Sequence, residues 1–136
     1  MALGMVEALR DSRLQQIINK IDNGGVAGKI EFYTGPQPAT GAAITAETLL
    51  GTCDLSFPCA TIATGVLTFN SISDDILADA TGDIVWARVL DSNDVIVMDG
   101  DCGITASGKT FIFNSLAVQT GGTIRVLSGS LTEGNL

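Results

Sequence analysis

The sequence contains no histidine, and its three cysteines, Cys53, Cys59 and Cys102, do not form the close pairs of a zinc site. Without histidine the chain cannot build a Ser-His-Asp triad, a Cys-His pair or the commonest protein metal ligand. An odd number of cysteines does not suit a closed set of disulfides and favours assembly in a reducing compartment. We therefore predict a protein that is not an enzyme and that needs no cofactor.

Basic residues are scarce. Lys and Arg total 7 against 15 Asp and Glu, which gives a net charge of −8 over 136 residues. Residues 1–30 carry four basic and three acidic groups (+1), so the remainder carries three basic and twelve acidic groups (−9). Because binding to a phosphate backbone needs clustered Lys and Arg, we expect no direct nucleic-acid partner.

Long hydrophobic runs are also absent. No stretch approaches the roughly 20 apolar residues of a membrane span, and the N-terminus shows no unbroken apolar segment of the signal-peptide kind. A membrane partner is therefore not expected. Aromatic residues make up only 5% of the chain, whereas hydrophobic residues make up 46% and there are 16 glycines. This composition favours short strands joined by tight turns.

One early segment has the periodicity of a helix. Its apolar stripe follows the i, i+3, i+4, i+7 spacing and consists of Leu14, Ile17, Ile18 and Ile21. The following Asn23-Gly24-Gly25 is a typical helix stop. The sequence thus predicts an N-terminal helical segment over 1–27, whose stripe either packs on the rest of the chain or docks on a neighbouring subunit.

Residues 28–136 have the alternating pattern of strands, and no helical pattern alternates with them. The pattern predicts a β-sandwich domain of about eight strands, an all-β fold made of two sheets. The strand count favours a jelly roll over an immunoglobulin-like sandwich. The candidate strand segments are 29–34, 49–57, 83–90, 95–98, 102–105, 109–114 and 123–131, together with two short candidates at 61–63 and 65–70.

Two of these strand pairs are predicted to form hairpins. Segments 83–90 and 95–98 flank the polar turn Asp91-Ser92-Asn93-Asp94, and segments 102–105 and 109–114 flank Ser107-Gly108.

The segment Gly103–Thr110 matches the nucleotide-binding P-loop pattern letter for letter. A P-loop needs a helix after it, because the helix N-terminus and the loop N–H groups hold the phosphates. Here Phe111-Ile112-Phe113 follows, which has the pattern of a strand. We interpret Gly108 and Lys109 as part of a hairpin turn, and nucleotide binding as the least favoured function.

Two acidic segments offer oxygen atoms of the kind that calcium prefers. They are Asp91-Ser92-Asn93-Asp94 and Asp99-Gly100-Asp101, and neither has the spacing of a twelve-residue calcium loop. Because Asp and Asn are common in turns for local reasons, we interpret both as turns without a metal ion.

The only tryptophan lies on a strand with two different faces. Val85, Ala87 and Val89 form an aliphatic face that is typical of a core. Trp86 and Arg88 are on the other face, and both residue types are enriched at binding hot spots. That face is predicted to be a partner surface, with packing of Trp86 inside the sandwich or under a loop as the alternative. The candidate interface residues are therefore Leu14, Ile17, Ile18, Ile21, Trp86 and Arg88.

Several segments resemble small proteins encoded among the head genes of tailed phages. The resemblance covers nearly the whole chain from Lys29 onward and is carried by segments 29–38, 49–58, 78–82, 98–101, 107–108 and 128–132. Within that group the chain resembles the head decoration (cement) proteins of Bordetella-type short-tailed phages.

The resemblance implies a jelly-roll structural protein of the virion, on the exterior of the capsid and made in the host bacterial cytoplasm. Its implied partners are the major capsid protein, whose neighbouring subunits it would clamp, and a second copy of itself in a homodimer. It implies no catalytic residues. The alternative function is a carbohydrate- or receptor-binding sandwich on the virion surface, in which Tyr33 and Trp86 stack on sugar rings.

Overall fold

The computed structural model describes residues 4–133 of the chain. Residues 1–3 of the predicted helical segment and residues 134–136 of the predicted sandwich domain therefore lie outside it. The described part contains one helix, α1 (Glu7–Ile21). Ten strands follow it: β1 (Lys29–Tyr33), β2 (Leu49–Asp54), β3 (Ala60–Ala63), β4 (Val66–Phe69), β5 (Gly82–Asp83), β6 (Trp86–Leu90), β7 (Ile96–Ile104), β8 (Phe111–Phe113), β9 (Ala117–Val118) and β10 (Ser128–Thr132).

Eight strands form one sheet in the order β2-β1-β6-β7-β8-β10-β4-β3, and β5 and β9 form a separate small pair. The large sheet is strongly curled. The rings of Phe32 on β1 and Phe113 on β8 are 5.3 Å apart, although strands three places apart in a flat sheet would be separated by about 14 Å. The sheet is thus a half-barrel that packs against itself, and the predicted all-β sandwich with a short N-terminal helix is confirmed.

Helix α1 packs on this curled sheet. Leu14, Ile18 and Ile21 are buried in the core, and Ile17 is partly buried beside them. Of the two roles expected for the apolar stripe, the structure shows packing on the chain's own sheet. These side chains are therefore not available as a docking surface.

Two carboxylates of the helical segment fasten it to the β3–β4 hairpin. The N–H of Gly65 donates to Asp11 Oδ1 (2.7 Å), and the N–H of Cys59 donates to Asp22 Oδ2 (3.3 Å). The helix ends as expected, because Gly24 and Gly25 both adopt the positive φ angles that favour glycine.

The first predicted hairpin is confirmed, since β6 and β7 pair antiparallel. β7 is longer than expected and continues without a break to Ile104, so the segment Asp99-Gly100-Asp101 is strand interior and its interpretation as a turn is wrong. The strand continues through Gly100 because the Phe111 ring packs against this glycine. A β-carbon on Gly100 would lie 2.9 Å from the Phe111 ring, so the glycine leaves space for that ring.

The second predicted hairpin is wrong, because β8 runs parallel to β7, with Cys102 opposite Phe111. Residues 105–110 do not form a tight hairpin turn. They cross back over the end of β7, where Ser107 and Lys109 lie against Gly103. The N–H of Thr110 donates to Asp101 Oδ1 (2.8 Å), which returns the chain to the level where β8 begins. Gly103 permits this crossing, since a β-carbon there would lie 2.5 Å from Lys109 Cγ.

The last strand begins later than predicted, at Ser128 instead of residue 123. Ile124 forms an isolated antiparallel bridge with Asp75, outside the main ladder. The chain between Ile124 and Ser128 crosses from that bridge to β8 and β4, which both pair with β10.

Candidate functional site: a buried cluster beneath a surface loop

The convex face of the sheet carries a buried ion pair. Arg88 on β6 lies directly opposite Asp99 on β7. Its Nε donates to Asp99 Oδ1 (2.8 Å) and its Nη2 donates to Asp99 Oδ2 (3.0 Å). The side chains are 4% and 0% exposed, so this bidentate pair is removed from water although it lies outside the main core.

Two aromatic rings adjoin the ion pair. Tyr33 and Trp86 stack with ring centroids 4.8 Å apart, and the Arg88 guanidinium carbon lies 5.1 Å from the Trp86 ring centroid. The Tyr33 hydroxyl donates to Glu31 Oε1 (2.9 Å). Burial, together with this hydrogen bond, raises the pKa of Tyr33 to about 12, so the phenol stays protonated at neutral pH.

A long surface loop, residues 34–48, is anchored on this cluster. The N–H of Gly41 donates to Asp99 Oδ2 (2.9 Å), and the indole N–H of Trp86 donates to the Thr34 carbonyl (3.0 Å). The loop ends are joined because the N–H of Thr34 donates to the Thr48 carbonyl (3.1 Å). Loops of this length without secondary structure are usually either functional or linker segments, and this one is held at its ends and near its middle.

The charges of the ion pair are stabilised by hydrogen bonds. Burial by itself would raise the pKa of Asp99, but the hydrogen bonds from Arg88 and from the Gly41 N–H outweigh it and hold that pKa below its usual value. The hydrogen bonds with Asp99 raise the pKa of Arg88 despite its burial. Both groups are therefore charged over the physiological pH range.

These shifts predict loss of stability in acid. The pKa values of Asp91, Asp99 and Asp101 are all held below the ordinary value of 3.8. A depressed carboxyl pKa adds stability that is complete above the ordinary value and is lost as the pH falls through the folded-state value. We expect the midpoint of thermal unfolding to fall steeply below about pH 4.

A variant with Arg88→Met and Asp99→Leu is the matched control, because it lacks Asp99, whose side chain is 0% exposed. Its unfolding midpoint, measured by circular dichroism from pH 7 to pH 2, should fall less steeply than that of the wild type. Parallel curves for the two proteins would show that Asp99 contributes nothing to the acid response.

The structure corrects the prediction of a partner surface at Trp86 and Arg88. Both are buried, with exposed fractions of 0% and 3%, and loop 34–48 contacts their face through the hydrogen bonds of Thr34 and Gly41. The alternative that placed Trp86 under a loop is the one observed. The core assignment is confirmed for Ala87 and Val89 and is wrong for Val85, which is 44% exposed. Since Tyr33 is 6% and Trp86 0% exposed and the two rings stack on each other, neither presents a free ring face to a sugar.

The P-loop match does not form a phosphate-binding loop. Gly103 and Ile104 end β7, and β8 follows at Phe111, so no helix N-terminus points into the loop. The Lys109 ammonium lies 3.7 Å from Asp101 Oδ2, so its charge is directed to a carboxylate of the same chain.

The oxygen atoms of the Asp91–Asp94 turn serve local structure. Asp91 Oδ1 accepts hydrogen bonds from the N–H groups of Asn93 (2.8 Å) and Val95 (2.9 Å). Asp94 forms an ion pair with Lys29. Across residues 4–133 there is no cluster of three or more His, Cys, Asp or Glu side chains arranged to hold a metal ion.

The thiols are enclosed in the interior. Cys53, Cys59 and Cys102 are buried and unpaired, and burial raises the pKa of each thiol to about 12. At neutral pH they are protonated and act as small apolar core residues.

Comparisons with known proteins give no relative. No family model, no curated protein and no solved structure matches this chain. The resemblance to head decoration proteins therefore stays a prediction. In the part of the chain that the structure describes, the single helix is too short and too polar to cross a membrane.

Proposed function

We propose that this protein is a non-catalytic structural component of a phage virion, which binds the outside of the capsid and stabilises the shell. In this role it clamps neighbouring major capsid subunits and pairs with a second copy of itself. The observation that carries the proposal is the anchoring of loop 34–48 on the buried cluster of Tyr33, Trp86, Arg88 and Asp99.

The anchored loop suits a binding surface because its shape is fixed before binding. A loop that is already ordered loses little conformational entropy when it docks, so more of the contact energy appears as affinity. Most of the loop is exposed, and its exposed residues are mainly Ala, Thr, Gly and Pro. Such small side chains let another backbone approach closely.

The body of the protein also fits an external position on a shell. It carries the strongly negative part of the chain, which would repel packaged nucleic acid. A decoration protein is present in many copies, so contacts that are individually weak become effective when each molecule engages two or more capsid subunits.

The test is the robustness of heads that lack this protein. Heads assembled without it should release their nucleic acid at a lower temperature than complete heads, and adding the purified protein back should restore the release temperature. Heads that are equally robust without it would refute the clamping role.

The carbohydrate-binding alternative is less well supported, because its two aromatic residues are buried against each other. It predicts hits on a glycan array, and our proposal predicts none, with or without calcium.

A further inference from the structure

Two adjacent aliphatic side chains project into solvent beside strand β2. Ile76 is 76% exposed and Leu77 is 70% exposed. We call this pair the knob. Single exposed apolar residues are common on protein surfaces, whereas contiguous apolar exposure marks interaction sites, and here two large neighbours are exposed together.

The backbone on both sides of the knob is held by hydrogen bonds to one neighbouring segment. The N–H of Asp75 donates to the Ile124 carbonyl (3.0 Å), and the N–H of Ile124 donates back to the Asp75 carbonyl (2.7 Å). The N–H of Ala78 donates to the Gly122 carbonyl (2.9 Å), and the Ala78 side chain is buried. The knob is thus the tip of a short turn between two fixed points.

The carboxylate of Asp75 tightens this turn further. Its Oδ1 accepts from the N–H of Leu77 (2.9 Å), and its Oδ2 accepts from the N–H of Thr52 on β2 (3.0 Å). Gly51 makes room for the arrangement, since a β-carbon there would collide with Asp75 and lie 2.6 Å from Ile124 Cδ1. Rigid presentation of apolar side chains reduces the entropy lost on binding.

The surroundings of the knob are acidic. Asp74 and Asp75 precede the knob, Asp79 follows it, and the N–H of Ser73 donates to the carbonyl of Asp54 (2.9 Å), so four acidic residues lie in or beside this turn. Arg125 contacts Asp74 (2.7 Å), whereas Asp79 is exposed directly after the buried Ala78. An apolar tip with acidic neighbours complements an apolar socket rimmed by Lys and Arg.

We propose that the knob is a capsid-binding anchor, which inserts into an apolar socket with a basic rim on the assembled major capsid protein. This inference rests on the proposed function and names one contact through which it is carried out. Ile76 and Leu77 supply the binding energy once the two surfaces are in contact. The nearby carboxylates attract the basic rim before contact.

The test compares three full-length proteins for binding to intact heads that lack the protein. One is the wild type, one carries Ile76→Ser and Leu77→Ser, and the matched control carries Val26→Ser and Val95→Ser, which are 52% and 58% exposed elsewhere. All three should have the same unfolding midpoint, because every changed side chain is exposed. The knob variant should bind about 100-fold more weakly, and the control within about threefold of the wild type.

Raising the salt concentration should slow association of the wild type and of the knob variant by the same factor, because the carboxylates are present in both. Equal binding by the knob variant and the wild type would overturn this inference and leave the capsid-binding proposal in place. Absence of binding by the wild type would overturn both. If sedimentation of the free proteins showed that the knob substitutions dissociate a dimer, the knob would be a contact between copies and the inference would be wrong.

Discussion

A chain that begins at Gly28 should fail to reach the native state, although it retains all ten strands. Helix α1 places three large aliphatic side chains, Leu14, Ile18 and Ile21, in the core of the half-barrel. Burying one such side chain contributes about 1.5–3 kcal/mol, so their removal costs about 5–9 kcal/mol. A domain of this size has a total stability of about 5–15 kcal/mol.

Removal of the helix would also uncover the inner face of the sheet. The expected result is a truncated chain without a cooperative urea transition, which binds a hydrophobic dye or precipitates. A truncated chain that unfolds cooperatively within about 1 kcal/mol of the full-length protein would contradict the account of the core.

Single substitutions give the same test without deleting a segment. Ile21→Ala removes a fully buried side chain and should lower the free energy of unfolding by about 2–5 kcal/mol. Leu9→Ala in the same helix is the matched control, because Leu9 is 48% exposed, and it should change stability by less than about 0.5 kcal/mol. Loss of capsid binding on truncation would therefore report unfolding and would not place the contact on the helix.

The second large effect is expected when the buried ion pair is broken on one side. Asp99→Ala leaves the Arg88 guanidinium buried, 4% exposed, without its counter-charge. Breaking a buried pair in this way costs about 3–5 kcal/mol, mainly because the remaining charge is uncompensated. Urea unfolding should show a decrease of that size in the free energy of unfolding.

Replacing both partners separates the charge effect from the anchoring of the loop. Arg88→Met with Asp99→Leu leaves no buried charge and should be within about 2 kcal/mol of the wild type. It still removes the acceptor of the Gly41 N–H, so loop 34–48 should be cleaved faster by a protease under native conditions. A double variant as unstable as Asp99→Ala, or with a loop as protected as in the wild type, would contradict this assignment.

The sequence predicts those parts of the fold that depend on local periodicity. The stripe of Leu14, Ile17, Ile18 and Ile21 identifies the helix, and the turn after Leu90 identifies the hairpin of β6 and β7. In both cases the signal is contained within one segment or between adjacent segments. Such elements need no knowledge of the tertiary fold.

The buried cluster could not be predicted in the same way, because it depends on register. A four-residue turn over Asp91–Asp94 would place Val97 opposite Arg88. Instead Leu90 lies opposite Ile96, one residue beyond Val95, and a further shift between Val89 and Leu90 places Asp99 opposite Arg88. The two one-residue shifts together leave the face unchanged but replace Val97 with Asp99 opposite Arg88, so the register decides whether Arg88 has an ion-pair partner.

The parallel pairing of β8 was also not predictable from local signals. Ser107-Gly108 is typical of a hairpin turn, and parallel neighbours usually need a longer connection. The deciding contact is the hydrogen bond from the Thr110 N–H to Asp101, which is visible only in the folded chain. The knob was missed for a similar reason, since nothing in the local pattern of residues 73–82 shows that their backbone is held by Gly122 and Ile124.

The central claim is best tested by co-sedimentation of the purified full-length protein with intact phage heads that lack it. We expect saturable binding at a fixed number of copies per capsid subunit, and the Val26→Ser and Val95→Ser control should retain it. Absence of binding at saturating protein concentration, with folding verified by a cooperative unfolding transition, would contradict the claim that this protein is a capsid-binding structural component.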